Sequence, residues 1–359
     1  MTDFKTALIQ DPKLSQITDQ QVFGVRVGAS NNTYQEFAAV SDSASSLIFN
    51  CQLPSESVVL SRDVTLRTPI TLSWTSKKPG LKYGEEICLA PFPLAMGMQS
   101  ISSQINNSTV SLNLSDILPQ LLCMNDSAMI NKWQGTCPTL RDEVYKQYSD
   151  ALGANNDPFG VIYDAGYEQF PEPRGAHPAT LTEGAADANG TIVYTLTFET
   201  AEPLFLSPYI FGHPDYNLGG FVGINTVNVN CNMTAKPDRV LRSRNQVPGE
   251  VLNIDAGSLR WGTTAEANPF KGNKKPSLLL NFLSSQSTQL IPARQVLPYA
   301  DFPRYITPQS QFAGGVINVN NIQLNQLPDK FIICVRKKMS EMKSTDSDFF
   351  YPISSISVN

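Results

Sequence analysis

The stretch "PFPLAMGMQSISSQINNSTVSLNLSDILPQLL", residues 91–122, decides the fold class. Its middle, residues 100–114, is two runs of alternating apolar and polar residues split by Asn106-Asn107. Alternation is the signature of a half-buried strand, and Asn tolerates the left-handed φ that a two-residue hairpin turn demands. The segment therefore predicts a strand, a turn and a second strand. Ser115 and Asp116 can then cap a helix over "ILPQLLCM", with Pro119 in the first turn, where its absent N–H does little harm.

Working outward, the pattern is β-rich on both sides. Residues 20–30, 45–53, 62–76 and 85–98 predict four upstream strands, the last running into the quoted stretch. Residues 139–153 predict a second helix, with Leu140, Val144 and Tyr148 on one face and Gly153 as its stop. Residues 154–190, dense in Pro, Gly, Asn and Asp, predict an irregular surface excursion. Strands resume over 190–200, 202–212 and 220–234, where Ile224, Val227 and Val229 alternate against Asn225, Asn228 and Asn230.

Hydrophobicity drops and basic residues cluster over 235–250, which places a boundary near Lys236. The reading divides the chain into a leader (1–20), a first β domain with helical and loop insertions (21–235) and a second β domain (236–359). Strands over 250–262, 276–285, 314–326, 329–338 and 347–359 are expected in the second. Short strands at this spacing argue for β-sandwiches or jelly rolls rather than a parallel α/β sheet. The closing "SDFFYPISSISVN" repeats the aromatic-Pro-aliphatic step of residues 91–98 after a similar strand and basic turn, which predicts the same structural station in each domain. On that reading the second sandwich is incomplete at Asn359, its further strands absent or borrowed.

Composition narrows the function. The 359 residues are 41% hydrophobic but only 16% charged, against ~25% in an average domain. Much of the exterior must be Ser, Thr, Asn and Gln, or be covered by other subunits. A net charge of -5, with only Lys5 and Lys13 against Asp3, Asp11 and Asp19 near the start, gives no footprint for direct nucleic-acid binding. No apolar run reaches the ~20 residues of a spanning helix, and no secretory signal opens the sequence. Cys51, Cys88, Cys123, Cys137, Cys231 and Cys334 show no CxxC pairing and read as buried thiols.

No motif for catalysis is present. His177 and His213 each precede a proline and read as turn residues. Adjacent Glu85 and Glu86 point to opposite faces of a strand and read as edge charges. A carboxylate pair assembled from distant residues is the one catalytic arrangement left open. The basic clusters at 271–276 and 335–343 read as solvated loops, and the N-x-S/T triplets at Asn107, Asn113, Asn125 and Asn189 as products of an Asn/Ser/Thr-rich sequence. No catalytic, cofactor or metal site is assigned.

Taken together, residues 91–122, "EPLFLSPYIFG" (202–212) with "GFVGINTVNVNCNM" (220–233), and "LPDKFIICVRKK" (327–338) with "DFFYPISSISVN" (348–359) resemble the double jelly-roll major capsid proteins of tailless icosahedral DNA viruses. Adenovirus hexon, the virophages, Polinton-like viruses and tectiviruses belong to that lineage. The resemblance implies an all-β chain of two tandem jelly rolls with short inserted helices, the second incomplete. It implies a non-enzymatic subunit forming homotrimeric pseudo-hexagonal capsomers that contact neighbouring capsomers and minor capsid proteins. It also implies a place in the virion shell after synthesis in the host cytoplasm or nucleus. The alternatives are a carbohydrate- or receptor-binding β-sandwich, or a single jelly roll with an extra β domain.

Overall fold

The computed structural model describes residues 6–10, 23–27, 31–54, 58–84, 86–125, 133, 178–210, 220–243, 254, 257–262, 270, 274–284, 299–307, 316–319, 322–324, 327–338, 341–346, 348 and 350–357. In chain order the elements are β1 (Thr6–Gln10), β2 (Phe23–Val27), β3 (Asn31–Ala38), β4 (Ser41–Ser43), β5 (Ser46–Gln52), β6 (Val58–Ser61), β7 (Thr65–Ser76) and β8 (Ile87–Leu89). Helix α1 (Pro93–Met96), β9 (Met98–Ile105), β10 (Ser108–Leu112) and helix α2 (Leu114–Met124) follow. The rest are β11 (Ala179–Ala186), β12 (Ile192–Pro203), β13 (Gly220–Phe221), β14 (Thr226–Met233), β15 (Leu241–Ser243), β16 (Arg260–Trp261) and β17 (Ser277–Ser284).

Two antiparallel sheets carry the sandwich. One runs β10-β9-β14-β5-β4; the other runs β11-β12-β7-β17-β6-β13, with β16 also on β7 and β3 also on β17. The longest ladder pairs all of β7 with β12, from Thr65↔Pro203 to Ser76↔Ile192. The opposite flank of β7 is shared: β17 takes Thr65 to Arg67 and β16 takes Leu72 and Ser73. Pro69 falls in the gap between them, where only one flank of the strand has a neighbour and a missing donor costs least.

Period-2 burial closes the space between the sheets. Ile192, Tyr194, Leu196 and Phe198 of β12 point inward while Val193, Thr197 and Glu199 point out. Val227, Val229, Cys231 and Met233 of β14 do the same on the facing sheet. All join one hydrophobic core with Phe49, Leu72 and Leu280. Trp74 stacks on Tyr194 with centroids 5.9 Å apart, and the Tyr194 hydroxyl donates to the Lys78 carbonyl (2.7 Å).

The predicted hairpin is present as β9 and β10, with Ser108 opposite Ile105 and Asn106 at φ 51°. Asn106 does more than turn the chain. Its Oδ1 accepts from the backbone N–H groups of Asn225 and Thr226 and its Nδ2 donates to the Gly223 carbonyl, which ties the turn to the loop before β14.

Several expectations change. Residues 85–98 are not one strand: β8 ends at Leu89 and the Phe92-Pro93 step starts α1, because proline at N1 is pre-set for a helical φ. The 202–212 run is not a strand beyond Pro203. Its apolar residues are buried in a turn, and Pro203 and Pro208 cannot donate to a ladder. Helix α2 starts at Leu114 with Asn113 as N-cap, so Pro119 lies inside it rather than in its first turn. Residues 179–186, expected to be irregular, form β11 on the edge of β12, with a register shift between Glu183 and Ala186. The expected boundary near Lys236 does not separate sheets, since β16 and β17 complete the sheet of β7. Among the described residues of 314–326, 329–338 and 347–359 there is no named strand, only the Val335↔Tyr351 bridge. A strand needs a neighbour as well as an alternating pattern. The predicted helix over 139–153 and the 154–177 excursion lie outside the described residues.

Inward and outward positions of β12 make a direct test of this register. Leu196→Ala lowers unfolding free energy by about 2–5 kcal/mol, whereas Val193→Ala, on the outer face two strand positions from Thr195, changes it by no more than ~0.5 kcal/mol. Chemical denaturation of the two variants reads the difference, and equal effects would contradict the register.

Candidate functional site

Continuing the inward phase of β12 past Phe198 brings Thr200 and then Glu202 to the interior. Glu202 is 4% exposed, and its two carboxylate oxygens accept the backbone N–H groups of Leu94 and Ala95, each at 2.8 Å. These are donors that the first turn of α1 leaves without intrahelical partners. Phe92, the N-cap residue, has no side-chain acceptor and sits at φ 50°, its ring held edge-on by Phe205 at 4.9 Å. A carboxylate from a distant strand thus caps the helix in place of a local residue. At the other end, a Cβ on Gly97 would lie 2.3 Å from the Trp261 ring, so that ring requires glycine there.

Burial without a counter-charge pushes the Glu202 carboxyl up to about 8, against the lowering effect of the two N–H donors. A buried acid with a raised pKa is a catalytic signature when it faces a cleft. Here the adjoining cavity is about 10 Å³, lined by Leu66, Leu94, Met98, Ile101 and Phe205 among others, room for one water at most. The chemistry this acid supports is structural.

A second polar cluster surrounds α2. Pro119 has no N–H to donate to the Ser115 carbonyl four residues back. That carbonyl instead accepts from Arg239 Nη1 at 2.7 Å. The backbone pairing of β15 with β8 brings the 239–243 segment beside both helices. Arg239 and Arg242, 4% and 2% exposed at the side chain, both reach Asp348, at 3.1 and 3.2 Å. In return Asp116 of α2 takes Arg336 (2.6 Å) and Arg304. Ser243 adds a backbone bond to the Ser344 carbonyl (2.9 Å) and a hydroxyl contact with Ser344 (2.8 Å). The two arginines hold the Asp348 carboxyl below its ordinary value although burial alone would raise it.

The residues singled out from sequence scatter. His177, His213, Glu85 and Cys137 lie outside the described residues. Glu86 pairs with Lys78 and accepts from the Lys82 N–H rather than standing as a solvated edge charge. Cys51, Cys88, Cys123, Cys231 and Cys334 are thiols, and burial pushes Cys51 and Cys231 up to about 12. Lys337 and Lys338 of the 335–343 cluster pair with Asp346 and Glu341, at 2.9 and 3.8 Å. No group of three or more His, Cys, Asp or Glu that could hold a metal occurs among the described residues, and no described helix is long and apolar enough to cross a membrane. Glu202, Arg239 and Asp348 were not singled out from sequence, and Asp116 was read only as a helix cap, not as a partner of Arg304 and Arg336. Only Glu202 had a local signal, its phase along β12.

Comparison with known proteins gives a consistent set of relatives. The family model described as the first domain of the Sputnik virophage major capsid protein matches residues 2–283, and that of the major capsid protein V20 C-terminal domain matches residues 302–359. The chain is 25% identical over 342 residues to the capsid protein V20 of Sputnik virophage, covering 92% of this chain and 54% of that protein. A chain of the Sputnik virophage cryo-EM structure superposes with a TM-score of 0.56 at 24% identity, over 78% of this chain and 53% of that one. The mavirus major capsid protein overlaps at 15% identity and a TM-score of 0.48, over 76% and 51% of the two chains. The chain spans about half the length of the relatives it matches.

The Glu202 cap has a testable pH dependence. A carboxyl raised from 4.5 to about 8 on folding binds its proton more tightly in the native state, so its contribution is greatest below 4.5 and is lost as pH rises through about 8. Glu202→Gln flattens the decline in unfolding free energy between pH 5 and 8. Glu202→Ala, which strands two buried N–H groups, costs about 1–3 kcal/mol for each. Denaturant titrations across pH check both, and an unchanged slope in Glu202→Gln would refute the assignment.

Proposed function

The chain belongs to the virophage major capsid protein family of the Sputnik type, and from that premise we propose that it is a structural shell subunit, three copies of which form a pseudo-hexagonal capsomer of an icosahedral virion. The observation that carries this reading is the match of residues 2–283 to the family's first domain, over the same span that forms the two-sheet sandwich. The jelly-roll fold is supported independently by the superposition on the Sputnik virophage chain.

The division into two jelly rolls belongs after β17. Strand pairing continues to Ser284, and the second family match begins at residue 302. Residues 285–301 are the proposed boundary, in place of Lys236.

Surface chemistry fits a subunit whose flanks are covered by neighbours. Val316, Leu327 and Phe331 are 89%, 93% and 67% exposed in the C-terminal part, with Val319, Ile322, Leu324 and Ile333 beside them in sequence. Apolar exposure on this scale is unusual for an isolated surface and marks contact regions. Self-association is the proposed partner chemistry, with minor capsid proteins as further partners. Direct nucleic-acid binding is not part of the proposal: the net charge is -5, and Lys337 and Lys338 of the 335–343 cluster are engaged with Asp346 and Glu341.

Sedimentation and negative-stain electron microscopy of the purified chain test this reading. Trimers or hexagonal capsomers are expected; a strict monomer at high concentration, with no particles, would count against it.

A further inference from the structure

We propose that the described residues of 299–357 are held against the first sandwich by a two-way arginine-carboxylate latch, which acid opens while the sandwich stays folded. The exchange is reciprocal. Asp116 belongs to α2 of the sandwich and takes Arg304 and Arg336 from the C-terminal segment. Asp348 belongs to that segment and takes Arg239, just before β15, and Arg242, within it. Neither side can leave without stranding charges on both.

Counting charges shows why acid is the trigger. Among the described residues four guanidinium groups pair with two carboxylates, so neutralising those carboxylates removes the counter-charges described for all four. The crowding is already felt: burial, with Arg239 and Arg304 nearby, lowers Arg336 to about 10. The other charged or titratable groups described at the contact are paired among themselves or neutral. Lys337 and Asp346 neutralise each other within the segment, and Cys334 accepts from Gln120 of α2 at 3.3 Å. Ser115, Ser243 and Ser344 contribute neutral bonds only. Breaking a buried ion pair from one side is also costly, because it leaves the partner charge without compensation.

The sign separates the latch from the α1 cap. Asp348 is held below 3.8, so its contribution is present above that value and fades as pH falls through the lower, folded one. Glu202 inside the sandwich is raised instead, and is protonated and at its most favourable in the same acid range. Acid therefore weakens the attachment of the segment without taxing the α1 cap.

Two measurements on the full chain test the latch. Amide hydrogen exchange at neutral pH compares wild type with Asp348→Asn, Asp116→Asn and the double variant. Peptides from 299–307 and 331–338 are expected to exchange at least tenfold faster in the double variant, while β7 and β12 peptides keep their rates. Arg304→Gln, at a half-exposed position, gives a smaller increase of a few-fold and guards against a folding defect. Arg239→Lys keeps the charge but loses the fork that spans Ser115 and Asp348, and is expected to fall between wild type and Asp348→Asn. Pepsin cleavage from pH 5 to 2.5, normalised to a control peptide, should show a step below about pH 4 confined to residues 299–357 of wild type. In the double variant the segment is cleaved without a step. Unchanged exchange in the double variant, or loss of protection in β7 and β12 in parallel with the segment, would overturn the proposal.

Discussion

Twelve backbone pairs between β7 and β12 are the constraint on which the rest of the molecule depends. They fix the phase of β12, and that phase sends Ile192, Tyr194, Leu196 and Phe198 into the core and, farther along, Glu202 to the N-terminus of α1. They also occupy one whole flank of β7, leaving the other to be filled by β16 and β17 from beyond residue 236. A sheet left without those strands would present an unpaired ladder beside a buried face, which is unfavourable in water. Fold completion and domain division are thus one question.

Around this ladder the structure repairs local breaks with distant residues. Phe92 cannot cap α1, and Glu202 does so from another strand. Pro119 cannot donate within α2, and Arg239 reaches the carbonyl it leaves open. The Leu94 and Ala95 N–H groups are buried and the Ser115 carbonyl is part-buried, so leaving them unmet would be costly, and a charged side chain that makes several bonds at once offsets part of its own desolvation. These repairs use ionisable residues, and so place titratable groups at the joints between elements. One joint favours the protonated acid and the other the ionised one.

The elements most readable from sequence were those with strong period-2 alternation and their own turn chemistry. β5, β7 and β14 lie within the expected segments, β12 and the β9-β10 hairpin overlap theirs and run a few residues beyond, and Asn106 turns the hairpin as its residue type suggested. Elements set by their neighbours were not readable. β11 carries Gly184 and a run of Ala, poor strand formers, and is ordered by pairing with β12. β3, with Tyr34, Gln35 and Glu36 exposed, is a strand because β17 lies beside it. Conversely, residues 314–338 alternate well yet form no named strand among the described residues.

What the sequence by itself determined is the class of the molecule. Alternation, turn residues and low charge specify a β-sandwich built for contact, and the resemblance drawn from residues 91–122, 202–233 and 327–359 leads to the capsid family. Only the tertiary structure decided which distant strands complete the sheet of β7 and how the buried charges are partnered. Both depend on which distant segments meet. Local patterning records which face of a strand seeks the core, whereas sheet order, a carboxylate capping a far helix and arginines exchanged between segments are fixed by long-range pairing that no local window contains.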